Sequence, residues 1–261
     1  MLAALLALFL ALPVVALAVR ASPSAIAARL ADPAVREALL LSLRTTALAC
    51  AIVVTLGLPA AYVLATREFP GKAWVESLLE LPMVLPPTVA GFALLVAFGR
   101  AGLVGHTLSA LGIQLPFTTA AVVVAQAFMA APYFVAPARA GFESVDPRLV
   151  EAAATLRAGE ATRFARVLVP LAFPSLFAGL ALAAARALGE FGATITFAGN
   201  LGGVTRTMPL AVYVALQSDL DTALVLALLL LAASLALLFG LRLLRHRRTG
   251  LFFDARARRP A

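Results

Sequence analysis

Six stretches of the chain are apolar for the length of a bilayer crossing, and the polar residues gather between them. A hydrocarbon core needs about 20 consecutive apolar residues per helix, which predicts spans at Leu2 to Val19, Ala38 to Ala65, Leu78 to Phe98, Thr119 to Ala138, Val167 to Leu188 and Thr222 to Leu244. Prolines punctuate them: Pro82, Pro86 and Pro87 in the third, Pro132 and Pro137 in the fourth, Pro170 and Pro174 at the start of the fifth. Each removes a backbone donor, which is tolerated where neighbouring helices re-satisfy the freed groups. Ala181, Ala185 and Gly189 give the fifth run a small-residue face suited to close helix contact, within the subunit or between two copies.

One connection has a pattern of its own. The stretch from Glu143 to Arg166 is too charged to lie in lipid and too short to fold as a domain. Asp146 suits an N-cap and Pro147 the first helical position. Leu149, Ala153 and Leu156 then fall on one face, with Arg148, Glu151 and Thr155 on another, and Gly159 is expected to stop the helix. A second helical run is expected from Glu160 through Phe164 into Val167 and Pro170. At roughly 11 residues and 1.5 Å per residue the first helix cannot cross a bilayer. It either rests in the headgroups or fits a groove on a partner.

Composition agrees with the pattern: 62% of residues are hydrophobic and 13% charged, and the mean hydropathy is +0.99, far from an ordinary globular domain. Within 261 residues the spans leave no room for a sizeable soluble domain, so an energy source must come from other chains. The expectation is a single transmembrane domain over 1–261, with 143–166 as a loop within it and 245–261 as a basic tail. The net charge of +8 is explained by topology rather than nucleic acid. With both termini in the cytoplasm, fourteen of the 21 Lys and Arg residues fall inside, counting Arg242 at the inner end of the last span, and five outside, while Arg44 and Arg186 fall within spans. That bias is the positive-inside signature. The first run also admits a reading as a cleaved signal peptide, given the small residues around Ala21 and Ser22, but it is long for a signal core and lacks a basic leader.

The residues of the polar loop carry a resemblance. Glu151-Ala152-Ala153, then position 157, then Val167-Leu168-Val169-Pro170 resembles the EAA loop of ABC-importer permeases, in which Glu-Ala-Ala is followed by a glycine and later by Ile-x-Leu-Pro. The spacing is intact; Arg157 stands at the glycine position, with Gly159 close by, and valines replace Ile and Leu. Gly189-Glu190-Phe191-Gly192-Ala193-Thr194-Ile195-Thr196-Phe197, with Asn200 and Thr205-Arg206-Thr207-Met208-Pro209, is similar to permeases of the molybdate-transporter type, as are Phe69-Pro70-Gly71-Lys72 and Leu81 to Pro87. The resemblance covers about Leu41 to Leu230, and sulfate permeases share related versions.

The resemblance implies an all-α type I ABC importer transmembrane domain of six helices with short cytoplasmic coupling helices. It implies a bacterial or archaeal cytoplasmic membrane, a second copy of the chain, two ATP-binding subunits below that hold the ATP and Mg, and an oxyanion-binding protein outside. Asp146, Leu149, Glu151, Ala152, Ala153, Leu156, Arg157, Gly159 and Pro170 would then dock and couple to the ATPase.

Candidate chemistry elsewhere is sparse. Arg186 and Glu190 lie one helical turn apart near the outer end of the fifth run, where an ionised group at mid-membrane costs about 2.5 to 3.5 kcal/mol. They pair as a structural element or line a path in which Arg186 attracts a dianion and Glu190 limits how tightly it is held, with Thr194 and Thr196 as further path candidates. Asn200, Thr205, Arg206 and Thr207 suit an external binding protein, a path or a solvated loop. Cys50 reads as a small buried hydrophobe. His106 and His246 lack partners at metal-ligand spacing, so no metal site is expected. No phosphate-binding Gly-rich loop and no nucleophile with its base are present, so this chain is expected to be neither enzyme nor ATPase and to hold no cofactor. Tungstate, sulfate and thiosulfate permeases share the reading. A gradient-driven secondary transporter is the more distant rival, and it would place more ionisable groups at mid-membrane and show repeated halves.

Overall fold

The computed structural model describes residues 1–20 and 23–257. Ala21 and Ser22, the candidate signal-cleavage site, and Arg258 to Ala261 lie outside the described residues, as do the side chains of the basic tail from 245 on, His246 included. Among the described residues every regular element is helical. Five helices are long and apolar enough to cross a membrane: α1 (Leu2–Arg20), α3 (Pro33–Thr66), α7 (Thr119–Glu143), the continuous rod Glu160–Leu188 that ends in α10 (Val169–Leu188), and α13 (Leu220–Ala257), whose apolar part is Leu220–Leu241. The remaining elements are α2 (Pro23–Ala31), α4 (Lys72–Val84), α5 (Pro87–Phe98), α6 (Gly105–Ala110), α8 (Pro147–Thr155), α9 (Glu160–Arg163), α11 (Gly192–Phe197) and α12 (Met208–Leu216).

The third predicted span is not one helix. Leu78 to Phe98 divides between α4 and α5, with a bend of 119° between them. Leu85 is extended and Pro86 and Pro87 follow it, so the helix loses two backbone donors in succession exactly where a proline disfavours a helical residue before it. The other prolines behave differently. Helix α7 runs uninterrupted through Pro132 and Pro137, and α10 through Pro174. Before Pro170 the chain makes a π-turn over Phe164–Leu168, in which the Val169 N–H reaches back to the Phe164 carbonyl. Single insertions of this kind recur at functional positions.

The core is the seam where α7 packs between α3 and α10. Ala49, Ala61, Ala127, Ala130, Ala138, Ala172, Ala183 and Ala187 line it around the larger Phe134 and Phe142, so the helix axes approach closely, as membrane helices do at small residues. On α10 the buried small residues are Ala172, Gly179, Ala183, Ala184 and Ala187, whereas Ala181 and Ala185 are half-buried and Gly189 is exposed. Internal packing therefore uses a different face from the Ala181–Ala185–Gly189 stripe. A second cluster holds α5 against α7 and α11 through Ala90, Leu94, Met129, Ala193 and Phe197. Here glycine is required: a Cβ on Gly91 would stand 2.6 Å from the Ala193 carbonyl oxygen, and one on Gly192 2.7 Å from Pro87 Cβ. The N-terminal helix α1 touches α13 and buries none of its residues.

Candidate functional site

The polar loop folds as two short helices, and its local chemistry explains each boundary. The Asp146 carboxylate accepts the Arg148 N–H at 2.9 Å, and Pro147 occupies the first turn, where its missing donor costs nothing. Helix α8 ends at Thr155, short of Gly159. The Arg157 N–H bonds the Ala154 carbonyl and the Ala158 N–H bonds the Ala153 carbonyl, the paired pattern of a Schellman motif with Arg157 at its left-handed position. Its φ is +59°, in a region that costs a residue with a Cβ about 1–2 kcal/mol. The reversal thus falls where the resembling pattern has glycine, but an arginine makes it. Gly159, expected to stop the helix, has φ −63° and ψ 164° and precedes α9 as its N-cap.

The faces of α8 also differ from expectation. Val150 and Ala153 are the half-buried residues, and Val150, with Val145 and Phe164, packs against the core. Leu149 and Leu156 point outward, 49% and 83% exposed, with exposed Ala152 between them. Glu151 is exposed as well. The helix is therefore seated on the membrane domain by one apolar edge and presents a second apolar strip to whatever lies outside.

A polar clamp ties this loop to α3. The Glu160 carboxylate accepts the Tyr62 hydroxyl at 3.0 Å and pairs with Arg67 at 2.5 Å. The hydrogen bond that Arg67 donates to Glu160, together with the charge of that carboxylate, raises the Arg67 pKa above the usual arginine value. Tyr62 meets Phe142 and Phe164 edge-on behind the clamp, with those two rings tilted at 44° to each other, and a cavity of about 560 Å³ opens beside it, lined by Arg67, Glu151, Glu160 and Arg163 among others. Nearby, Arg139 bridges Glu76 of α4 at 2.8 Å and Glu143 at 2.7 Å. Apart from Arg139 and Glu143, four positions apart on one helix, these contacts were not legible from the sequence, because partners such as Arg67 and Glu160 are 93 positions apart.

At the opposite end of α10, Arg186 and Glu190 pair at 2.5 Å. Glu190 is fully buried, Arg186 is 22% exposed at its side chain, and the other Glu190 oxygen accepts the Ala193 N–H at 2.7 Å. The carboxylate thus joins the last turn of α10 to the start of α11. Both residues line a cavity of about 320 Å³ with Pro87, Thr88, Gly189, Phe191 and Gly192. Thr194 lies fully buried behind it, and Thr196 is half-buried with its hydroxyl on the Gly192 carbonyl.

Beyond α11 the outer segment is held from within. Thr205 and Thr207 are fully buried. The Thr205 hydroxyl accepts the Leu201 N–H at 2.8 Å, and Arg206 donates to the Asn200 side chain at 2.9 Å. The parts open to a partner are the tip from Leu201 to Val204 and the half-buried Asn200 and Arg206. A residue the sequence reading passed over is Gln126 of α7, fully buried with neither side-chain atom hydrogen-bonded; a lone amide in an apolar run was the available signal. Among the described residues no cluster of potential metal ligands occurs.

With this geometry in place, the chain matches over residues 54–249 the family described as binding-protein-dependent transport system inner membrane component. It is 44% identical over 232 residues, 89% of this chain and 88% of the other, to the molybdenum transport system permease protein ModB of Mycobacterium tuberculosis. It is 38% identical over 192 residues, 73% of this chain and 69% of the other, to the sulfate transport system permease protein CysT of Salmonella typhimurium. The fold is similar, with a TM-score of 0.75 at 15% identity, to a chain of a bacterial alginate ABC transporter crystallised with a periplasmic protein bound to alginate pentasaccharide, covering 95% of this chain and 93% of that one.

Proposed function

The chain belongs to the family of binding-protein-dependent transport system inner membrane components, and from that membership we propose that it is the membrane-spanning permease subunit of an ATP-driven importer that carries molybdate inward. The observation that carries the substrate is the 44% identity to a molybdenum permease across 89% of this chain. The chain works as a pair of identical copies with the path between them and both termini in the cytoplasm. Two separate ATP-binding subunits supply the energy, holding ATP and Mg, and an external oxyanion-binding protein delivers the substrate to the face around Leu201 to Arg206.

Coupling follows from how α8 is mounted. Val150 and Ala153 seat it, the Glu160 clamp fixes its far end to α3, and Leu149 and Leu156 remain for the cleft of an ATP-binding subunit. From Glu160 the helix runs without a break through the π-turn to Leu188, about 39 Å from Glu160 to Arg186 at 1.5 Å per residue. A displacement of the loop is thereby delivered to the Arg186–Glu190 cavity at the other end. Closure of the nucleotide subunits on ATP draws the two loops together and opens the path outward; hydrolysis resets it. A weak site suits this task, since a path that held its dianion tightly would not release it.

Similarity to a sulfate permease supports sulfate as the second reading. Uptake of labelled molybdate, tungstate and sulfate by the assembled transporter in proteoliposomes decides between them: the proposal expects molybdate or tungstate to be taken up in the presence of excess sulfate, and preferential sulfate uptake would reverse it.

A further inference from the structure

The turn that closes α8 is unusual for the residue that makes it. Arg157 sits at φ +59°, a backbone region shared among the described non-glycine residues only by Phe117 and more comfortably filled by glycine or asparagine. Its side chain is exposed, and among the described residues it makes no ion pair or hydrogen bond. The loop as a whole carries unbalanced charge: Arg148, Arg157 and Arg166 lack an acidic partner, against Asp146 and Glu151, while Glu143 and Glu160 are already paired, Glu160 with Arg67 and with the nearby charge of Arg163. Basic residues on an inner loop need no explanation beyond topology. An arginine at this one position does, because headgroups are indifferent to which residue of the loop carries the charge, and the turn itself favours glycine. Arg157 also follows directly on Leu156, which is 83% exposed, so the guanidinium stands at the end of the outward apolar strip.

We propose that Arg157 is a pairing determinant: when Leu149 and Leu156 enter the cleft of the ATP-binding subunit, its guanidinium meets a carboxylate at the lip of that cleft and selects an ATPase that carries it. The inference rests on the reading of α8 as the docking helix. A guanidinium on a rigid turn is suited to a bidentate bond with a carboxylate. At the rim of an interface such a pair governs association rate and partner choice, because a partner lacking the acid leaves the charge unmatched.

The test uses the full permease in nanodiscs of zwitterionic lipid and measures binding of its ATP-binding subunit across a range of salt. Arg157→Gly is expected to weaken binding about tenfold at low salt, with the gap closing as salt rises. Arg157→Lys should keep most of the affinity, and Arg157→Glu should bind more weakly than Arg157→Gly until an acid at the cleft lip is replaced by arginine. Unchanged binding by the Gly and Glu variants at every salt concentration would overturn the proposal, as would a difference that appears only when anionic lipid is added, which would assign the guanidinium to headgroups. Deletion of Asp146 to Leu156 separates the two levels. If the deletion binds the ATPase normally, the docking reading falls; if it abolishes binding while the Arg157 variants do not differ, only the pairing role falls.

Discussion

The Arg186–Glu190 pair gives the sharpest quantitative expectation, because its two members are buried unequally. Glu190 is fully buried, and its charge is met by Arg186 at 2.5 Å and by the Ala193 N–H; Arg186 keeps 22% of its side chain exposed, toward the cavity. Arg186→Met leaves a buried carboxylate with a single neutral donor, and breaking a buried pair in this way costs about 3–5 kcal/mol. Glu190→Gln leaves a partly exposed guanidinium and keeps a side-chain acceptor for Ala193, so it should cost less, about 1–3 kcal/mol. The double variant removes both charges and should recover part of the loss, giving a coupling of about 2–3 kcal/mol in a double-mutant cycle. Unfolding of the purified permease in detergent, followed by tryptophan fluorescence from Trp74 and by gel filtration, measures the cycle. Equal costs for the two single variants, or strict additivity in the double, would refute the buried-pair account. The same double variant separates structure from transport: a folded protein that has lost molybdate uptake places Arg186 on the path, whereas full uptake leaves the pair a purely structural joint between α10 and α11.

Other outcomes follow from the loop and from the close helix approach. Arg157→Gly relieves a left-handed arginine and should stabilise the isolated permease by about 1 kcal/mol, opposite in sign to its effect on ATPase binding; a lower thermal midpoint than wild type would contradict the backbone account. Asp146→Ala removes the cap of α8 and should cost about 1 kcal/mol, seen as faster amide exchange confined to 147–155; unchanged exchange there would contradict it. Gly91→Val places a Cβ 2.6 Å from the Ala193 carbonyl oxygen and should cost about 1–3 kcal/mol or more by overpacking, read as loss of the monodisperse gel-filtration peak, which the milder Ala90→Gly should retain. Glu160→Gln opens the clamp to Arg67 and Tyr62. Because these groups are exposed it should barely move stability, yet raise the ATP hydrolysed per molybdate imported; an unaltered ratio would remove the clamp from the coupling route.

The sequence made the loop legible where local chemistry decides it. Asp146 and Pro147 announce the start of α8, and the length of the apolar runs announces the long helices. What it concealed depends on contacts distant in the chain. The run from Leu78 to Phe98 has the same apolar character on both sides of Pro86 and Pro87, so composition signalled a span while the backbone turned by 119°. Periodicity assigned Leu149 and Leu156 with Ala153 to one face but could not say which apolar edge the membrane domain would claim, and it claimed Val150 and Ala153. Thr205 and Thr207 read as a polar surface because hydroxyls are usually solvated, yet the fold buries both, with the Thr205 hydroxyl spent on a loop amide. Arg157 is the reverse case: the sequence marked it as irregular, and the structure gave the irregularity its form, a Schellman turn in which the arginine takes the left-handed position.

The most direct test of the central claim is uptake by proteoliposomes holding the permease, its ATP-binding subunit and its external binding protein, with ATP on the cytoplasmic face and labelled molybdate outside. The account predicts accumulation of molybdate that requires ATP hydrolysis, persists in excess sulfate and is abolished by deleting Asp146 to Leu156. Uptake that proceeds without the ATP-binding subunit, or that survives the deletion with its coupling intact, would contradict it.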